Sequence, residues 1–146
     1  MNRRTIAALG AAFSALALQP AFGEPAVDIQ TRCFRFSDQP GKLLQLRLID
    51  TDEDNEAAFV RYVGSRAWIP LVLSISKDIP MADSGRSQLD EEWVEVVHDQ
   101  VVGRYMLSML GAEVISFGYV NRKTGKKTEF ALAPRMHEID PCESKK

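Results

Sequence analysis

Beyond the first two dozen residues, apolar and polar positions alternate with a period of two, in short runs broken by turn residues. That pattern marks strands with one face buried. Leu44, Leu46 and Leu48 share one face of Leu43–Asp50, while Gln45 and Arg47 take the other. Ala57–Val63 leads through Gly64-Ser65 into Ala67–Ser76, a spacing suited to a tight hairpin. Arg104–Leu110 leads through Gly111-Ala112 into Glu113–Val120, and Asn121–Gly125 turns the chain into Lys126–Ala133. Thr31–Phe36 and Glu92–Val97 complete about eight strands with mostly short connections. The expected fold class is all-β, an antiparallel meander. Such a meander closes into a small barrel or folds as a sandwich, and closure removes unpaired edges.

One segment carries two signals. Leu89, Trp93, Val96 and Val97 fit helical spacing behind a Ser87/Asp90 capping box. Trp93–Val97, however, is β-branched and aromatic, which favours a strand. A short helical turn over Ser87–Glu91 feeding a strand satisfies both. The longest connection is then Lys77–Glu91, which includes Pro80, Asp83, Ser84, Gly85, Arg86 and Ser87. Connections longer than a dozen residues often carry function, and the alternative is a plain crossover between two sheet halves.

The first 23 residues depart from this pattern. Arg3 and Arg4 precede the uncharged apolar run Ile6–Leu18, and Ala21-Phe22-Gly23 supplies a small-x-small cleavage pattern. The run is too short to cross a bilayer, which takes about 20 residues. Residues 1–23 therefore read as a cleaved export signal, and residues 24–146 as a single β-rich domain with a C-terminal tail. The expected location is periplasmic or secreted, with no stable membrane anchor. At 45% hydrophobic and 26% charged the composition is that of an ordinary globular domain. The net charge is −2, and removing Arg3 and Arg4 makes it −4. An acidic balance argues against a nucleic-acid partner, which calls for a basic stripe.

In an oxidising compartment the two cysteines, Cys33 and Cys142, have one intramolecular pairing. Closing a loop of about 110 residues is worth roughly 4–5 kcal/mol in a chain-entropy treatment. Two free thiols or a metal pair are the alternatives, but two sulfurs with His137 as the one nearby imidazole make a poor zinc site. The reading is a disulfide, with no metal.

Candidates for chemistry are few. Asp50–Glu56 places carboxylates at alternate positions as a calcium loop does, but Asn55 and Arg61 stand where an EF-hand needs glycine and glutamate. It reads as a solvated loop. His98-Asp99 is an acid–imidazole pair in an exposed turn, with no nucleophile elbow to serve. Glu91, Glu92 and Glu95 lie beside Trp93 and could act on sugars as paired carboxylates; an outward polar edge is the plainer reading. Arg122, Lys123, Lys126 and Lys127 form a basic hairpin tip, read as solvated. Trp68, Trp93, Tyr62, Tyr105, Phe117, Tyr119 and Phe130 read mainly as core. No catalytic residue and no cofactor are expected.

The layout resembles the small periplasmic inhibitors of C-type lysozyme, which combine an export signal, an eight-stranded antiparallel barrel and a disulfide from the first strand to the C-terminal tail. Cys33 and Cys142 match that disulfide layout. In that family a Ser- and Gly-rich loop followed by a tyrosine enters the lysozyme cleft. Its counterpart here is Asp83-Ser84-Gly85-Arg86-Ser87, although no tyrosine follows closely and the family's aromatic–Lys-Gly motif is missing. The run Trp93-x-Glu95-Val96, Gly103-x-Tyr105, Gly111-Ala112, Tyr119, Thr124-Gly125-Lys126 and Phe130 is also similar to uncharacterised exported proteins of Gram-negative bacteria. The resemblance implies a non-enzymatic binding protein, an inhibitor or immunity factor whose partner is a protein such as a cell-wall hydrolase. A small-molecule carrier and an envelope structural or interaction protein are the alternative expectations. The oligomeric state is not legible in one sequence.

Overall fold

A computed structural model describes residues 27–51, 57–82, 85–134 and Cys142. The export signal read in residues 1–23 lies outside the described residues. Eight strands follow in order: β1 (Val27–Phe36), β2 (Leu43–Thr51), β3 (Ala57–Tyr62), β4 (Ile69–Pro80), β5 (Ser87–Val97), β6 (Gln100–Leu110), β7 (Glu113–Asn121) and β8 (Lys127–Leu132). Each pairs antiparallel with the next, and β8 returns to β1, so the sheet is a closed barrel rather than a sandwich. Short turns make this order the simplest one. Gly64, Gly111 and Gly125 take positive φ in three of them. His98 and Asp99 do so in a fourth, a conformation that a residue with a Cβ adopts at a cost of about 1–2 kcal/mol.

The period-two pattern decides what fills the lumen. Leu44 and Leu46 of β2 point inward beside Phe34 and Val60, and all four are buried. Phe117 sits at the centre of a ring cluster, with centroids 4.7 Å from Phe34, 5.0 Å from Phe130 and 5.8 Å from Tyr105. An eight-stranded barrel is just wide enough for side chains to fill, and here they do. Tyr119 packs against Tyr105 at a tilt of 45° with centroids 4.7 Å apart, and its ring covers Gly103. A Cβ on Gly103 would lie 2.1 Å from the Tyr119 hydroxyl oxygen, so the glycine is the space into which that ring packs.

Tyr105 has no exposed surface, and burial, with Tyr62 and Glu95 adding electrostatically, raises its hydroxyl above the ordinary tyrosine value. The neutral ring thus stabilises the fold fully below the unfolded-chain value near pH 10, and that contribution is lost as pH rises above it. Unfolding free energy measured in urea is expected to stay flat towards pH 10. It should then fall by up to about 1.4 kcal/mol per pH unit. Tyr105→Phe should remove most of that slope, and an unchanged slope would assign it to other groups.

The barrel closes over a short seam, with three residue pairs between β1 and β8 from Phe34↔Leu132 to Phe36↔Phe130. Beside it, on the outer face, the Cys33–Cys142 disulfide joins residues 109 apart in sequence. Both sulfurs are buried against Ala133, Leu43 and Val63, and the Ala133 N–H donates to the Cys33 carbonyl at 2.9 Å. Trp68 corrects the expectation that the aromatics are core. It lies on the outside, with the Arg47 and Arg61 guanidinium groups 4.3 and 4.5 Å from its ring centroid. Arg61 is anchored on Gln45 and Arg47 on Thr31, so the stack covers the β1–β2–β3 wall.

Candidate functional site at the arm end of the barrel

The connections alternate between two ends of the barrel. At one end β4 outruns its neighbour: it pairs with β3 only from Ile69 to Leu71, but with β5 from Leu71 to Pro80. The outer part of this hairpin, Ser74–Pro80 with its partner strand, therefore projects as an arm. Seven consecutive residues of β4 are exposed there, among them Ile75 and Ile79, and Met81 follows. The irregular register between Leu73 and Ile75, the charges Lys77 and Asp78, and Pro80 are features that discourage further strands from adding to such an edge.

The arm revises the sequence reading. The connection expected over Lys77–Glu91 is much shorter, because Lys77–Pro80 and Ser87–Glu91 are strand, not loop, and no helical turn forms at Ser87–Glu91. Cross-strand pairing from Lys77↔Asp90 to Pro80↔Ser87 outweighs the local capping signal. Of the five loop candidates, Gly85 turns the chain with φ +61° and the Arg86 carbonyl accepts from the Met81 N–H at 3.0 Å. Ser87 is exposed as the first residue of β5. Asp83 and Ser84 lie outside the described residues. The described candidates, Gly85, Arg86 and Ser87, thus fall at the tip of the projecting hairpin.

Just inside the same end, the stripe of inward side chains changes character. Glu91 corrects the reading of an outward polar edge: it points into the barrel, is 6% exposed, and accepts from Trp93 Nε1–H at 2.9 Å. Glu92 faces outward, 3.6 Å from exposed Arg104, and Glu95 stands towards the other end beside Tyr119. The period of two puts Glu92 on the opposite face, and four residues of strand, roughly 13 Å, separate Glu91 from Glu95, so the three glutamates do not form one site. On β1, Gln30 and Arg32 continue the face that carries Phe34 and Phe36. Arg32 Nη2 donates to Gln30 Oε1 at 3.0 Å, and Gln30 Nε2 donates to Asp28 Oδ2 at 2.9 Å. Asp50, read as part of a solvated acidic loop, belongs to β2 opposite Asp28. The rest of that stretch, residues 52–56, lies outside the described residues.

Gln30, Arg32, Asp50 and Glu91 line a cavity of about 140 Å³, with Leu48, Leu89 and Met109 as apolar wall and the Gly111-Ala112 turn beside it. Sequence reasoning missed Gln30, Arg32 and Asp50 as site residues. The available signal was the even-numbered stripe of β1 and β2, which turns from apolar to charged while staying on the inner face. A wider, open groove of about 740 Å³ runs across the outer face, where Ile75, Met106 and Ile115 flank the small residues Ser108, Ser116 and Gly118. Asp90 lies along it, and hydrogen bonds from Gln88 and Ser108 hold its carboxyl below the usual range.

The other candidates are dispersed. His98-Asp99 is an exposed turn at the opposite end, as expected, and Glu91 is not brought near it. The basic tip is also a solvated turn, in which Asn121 Oδ1 accepts from the Lys123 and Thr124 N–H groups. Tyr119 beside Glu95 has its hydroxyl raised, by burial first and by the carboxylate second. Among the described residues no three His, Cys, Asp or Glu side chains gather as a metal site would need. Comparison with protein families, with curated proteins and with solved structures found no match.

Proposed function

We propose that the protein is an exported binding protein that acts on another protein without catalysis, as an inhibitor or immunity factor directed at a cell-wall hydrolase such as C-type lysozyme. The observation that carries this reading is the arm. A closed, side-chain-filled barrel clipped by a disulfide holds out a hairpin with exposed Ile75, Ile79 and Met81, beside the groove flanked by Met106 and Ile115. A binding element held on a rigid scaffold loses little conformational entropy on association. The layout resemblance to lysozyme inhibitors points to the class of partner, and Gly85-Arg86-Ser87 at the tip is the first contact to test.

A carrier is the second reading, favoured by the cavity at the barrel mouth. Its volume of about 140 Å³ is well under the roughly 300–1,000 Å³ of sites that enclose drug-sized ligands. That size suits one anchoring group better than a cargo molecule.

The test is titration of the oxidised protein into a cell-wall lysis assay with a C-type lysozyme. Stoichiometric inhibition is expected. Replacing residues 81–86 by a two-residue Asn-Gly turn should weaken it about 30-fold or more, the effect of losing a contact hot spot. The denaturation midpoint should not move. Undiminished inhibition would remove the tip from the interface. No inhibition, together with a small molecule co-purifying in native mass spectrometry, would put the carrier first.

A further inference from the structure

We propose that the outer wall of β2 and β3 carries a binding site for a phosphate monoester group, formed by Arg47 and Arg61 where they stack on Trp68. The site is separate from the arm and does not depend on the binding-protein reading above. Three observations lead there. Charge comes first. The outward positions of β1, β2 and β3 carry Arg35, Arg47 and Arg61 and, among the described residues, no carboxylate. The chain as a whole is acidic, at −2, so this wall is positive against the overall balance.

The second observation is how the two guanidinium groups are held. Arg47 Nε–H donates to Thr31 Oγ1 at 3.3 Å, and Arg61 Nε–H donates to Gln45 Oε1 at 3.0 Å. Arg61 Nη2 donates to the same Gln45 oxygen. Gln45 is 2% exposed although it sits on the outer face, so Arg61 rests on a fixed support. Both Cζ atoms lie within 4.5 Å of the Trp68 ring centroid. Two like charges are thus held close together by neutral groups, and among the described residues neither forms an ion pair. That arrangement costs repulsion which a bridging anion offsets.

The third observation is what remains free to bind. Stacking on the indole engages the flat face of a guanidinium, while its N–H donors lie round the edge. Most of those donors have no acceptor among the described residues. A ligand that joins the two groups needs compact negative charge and acceptors pointing in several directions. A phosphate monoester carries about −1.5 to −2 at neutral pH on three terminal oxygens, which matches two guanidinium charges and two forks. A carboxylate has one charge and acceptors in one plane, and suits a single fork.

Trp68 is the reporter, and Trp93 in the lumen is the internal control. Proton–nitrogen spectra of the oxidised protein would be followed during titration with methyl phosphate, and with acetate at matched ionic strength. Methyl phosphate is expected to shift the Trp68 indole N–H saturably, with a Kd on the order of 1 mM, and acetate to bind about 10-fold more weakly or not at all. Replacing both residues, Arg47→Lys with Arg61→Lys, keeps the charge and removes the forks, so affinity should fall about 10-fold or more. Arg47→Lys alone leaves the Arg61–Gln45 anchor in place and should cost about 5-fold. Arg35→Gln removes a charge from the same wall outside the stack and should change affinity less than about 2-fold. Denaturation midpoints check that each variant folds. No saturable shift up to about 50 mM, equal binding of acetate, or undiminished affinity in the double lysine variant would overturn the site. Co-flotation with phosphatidylcholine vesicles, with and without phosphatidic acid, then assigns the source of the phosphate. Capture by the phosphatidic acid vesicles that Arg47→Lys reduces would support a lipid headgroup. Methyl phosphate binding without such capture would support a soluble phosphate monoester.

Discussion

Replacing Cys33 and Cys142 together by alanine is expected to lower the unfolding free energy by about 3–5 kcal/mol. It is one of the two largest effects a short set of substitutions should have on this protein. The bridge spans 109 residues, and a loop of that length restricts the unfolded chain by roughly 4–5 kcal/mol in a chain-entropy treatment. Native-state contributions reinforce it. The two sulfurs form a small apolar cluster with Ala133, Leu43 and Val63, next to the three-pair seam between β1 and β8. Losing the bridge leaves that seam to its few ladder hydrogen bonds, so amides of β8 and of Phe34–Phe36 should gain hydrogen-exchange rate before those of β5 and β6. Denaturant melts of the alanine variant, and of the wild type with and without reductant, read the effect. A loss below about 1 kcal/mol would mean that the seam holds the barrel closed without the bridge.

Phe117→Ala is expected to cost about 3–5 kcal/mol, the range for deleting a large aromatic from a packed interior. Phe117 is 3% exposed and lies within ring-contact distance of Phe34, Tyr105 and Phe130. Ring pairs of this kind add about 0.5–1.5 kcal/mol each beyond area burial. Its β7 neighbours and their β8 partners fix the ring position, so the surrounding wall has little freedom to collapse into the void. Phe117→Leu keeps most of the volume and should cost much less, about 1–2 kcal/mol. Urea melts of the two variants separate the volume term from the ring term. Equal, small losses for both would show that the lumen repacks freely and that the ring cluster is not what fills it.

Strand number and face were legible because burial on one face imposes a period of two, and that rule acts on neighbours in sequence. The stripe Leu44, Leu46, Leu48 and the turns at Gly64, Gly111 and Gly125 could be read directly, and the strands they predicted stand within a few residues of those formed. The segment 87–91 was misjudged because its helical capping signal is local, whereas the pairing that makes it a strand comes from Lys77–Pro80. Trp68 was misjudged for the same reason: only the packed wall brings Arg47 and Arg61 over its ring and leaves it outside the lumen.

The site was less legible than the fold. The hairpin tip drew attention through its turn residues, but the cavity depends on residues far apart in sequence. Gln30, Arg32, Asp50 and Glu91 meet only because barrel closure turns the inner faces of β1, β2 and β5 towards one lumen. By itself the sequence determined an all-β meander of about eight strands, the shared face of Leu44, Leu46 and Leu48, and a single available cysteine pairing, since alternation, turn chemistry and a count of two thiols are local or arithmetic properties. The tertiary structure alone decided barrel over sandwich, drew the arm out of a supposed loop, and placed a charged ring at its base. Those features come from pairing and closure between distant segments, which no short window of residues encodes.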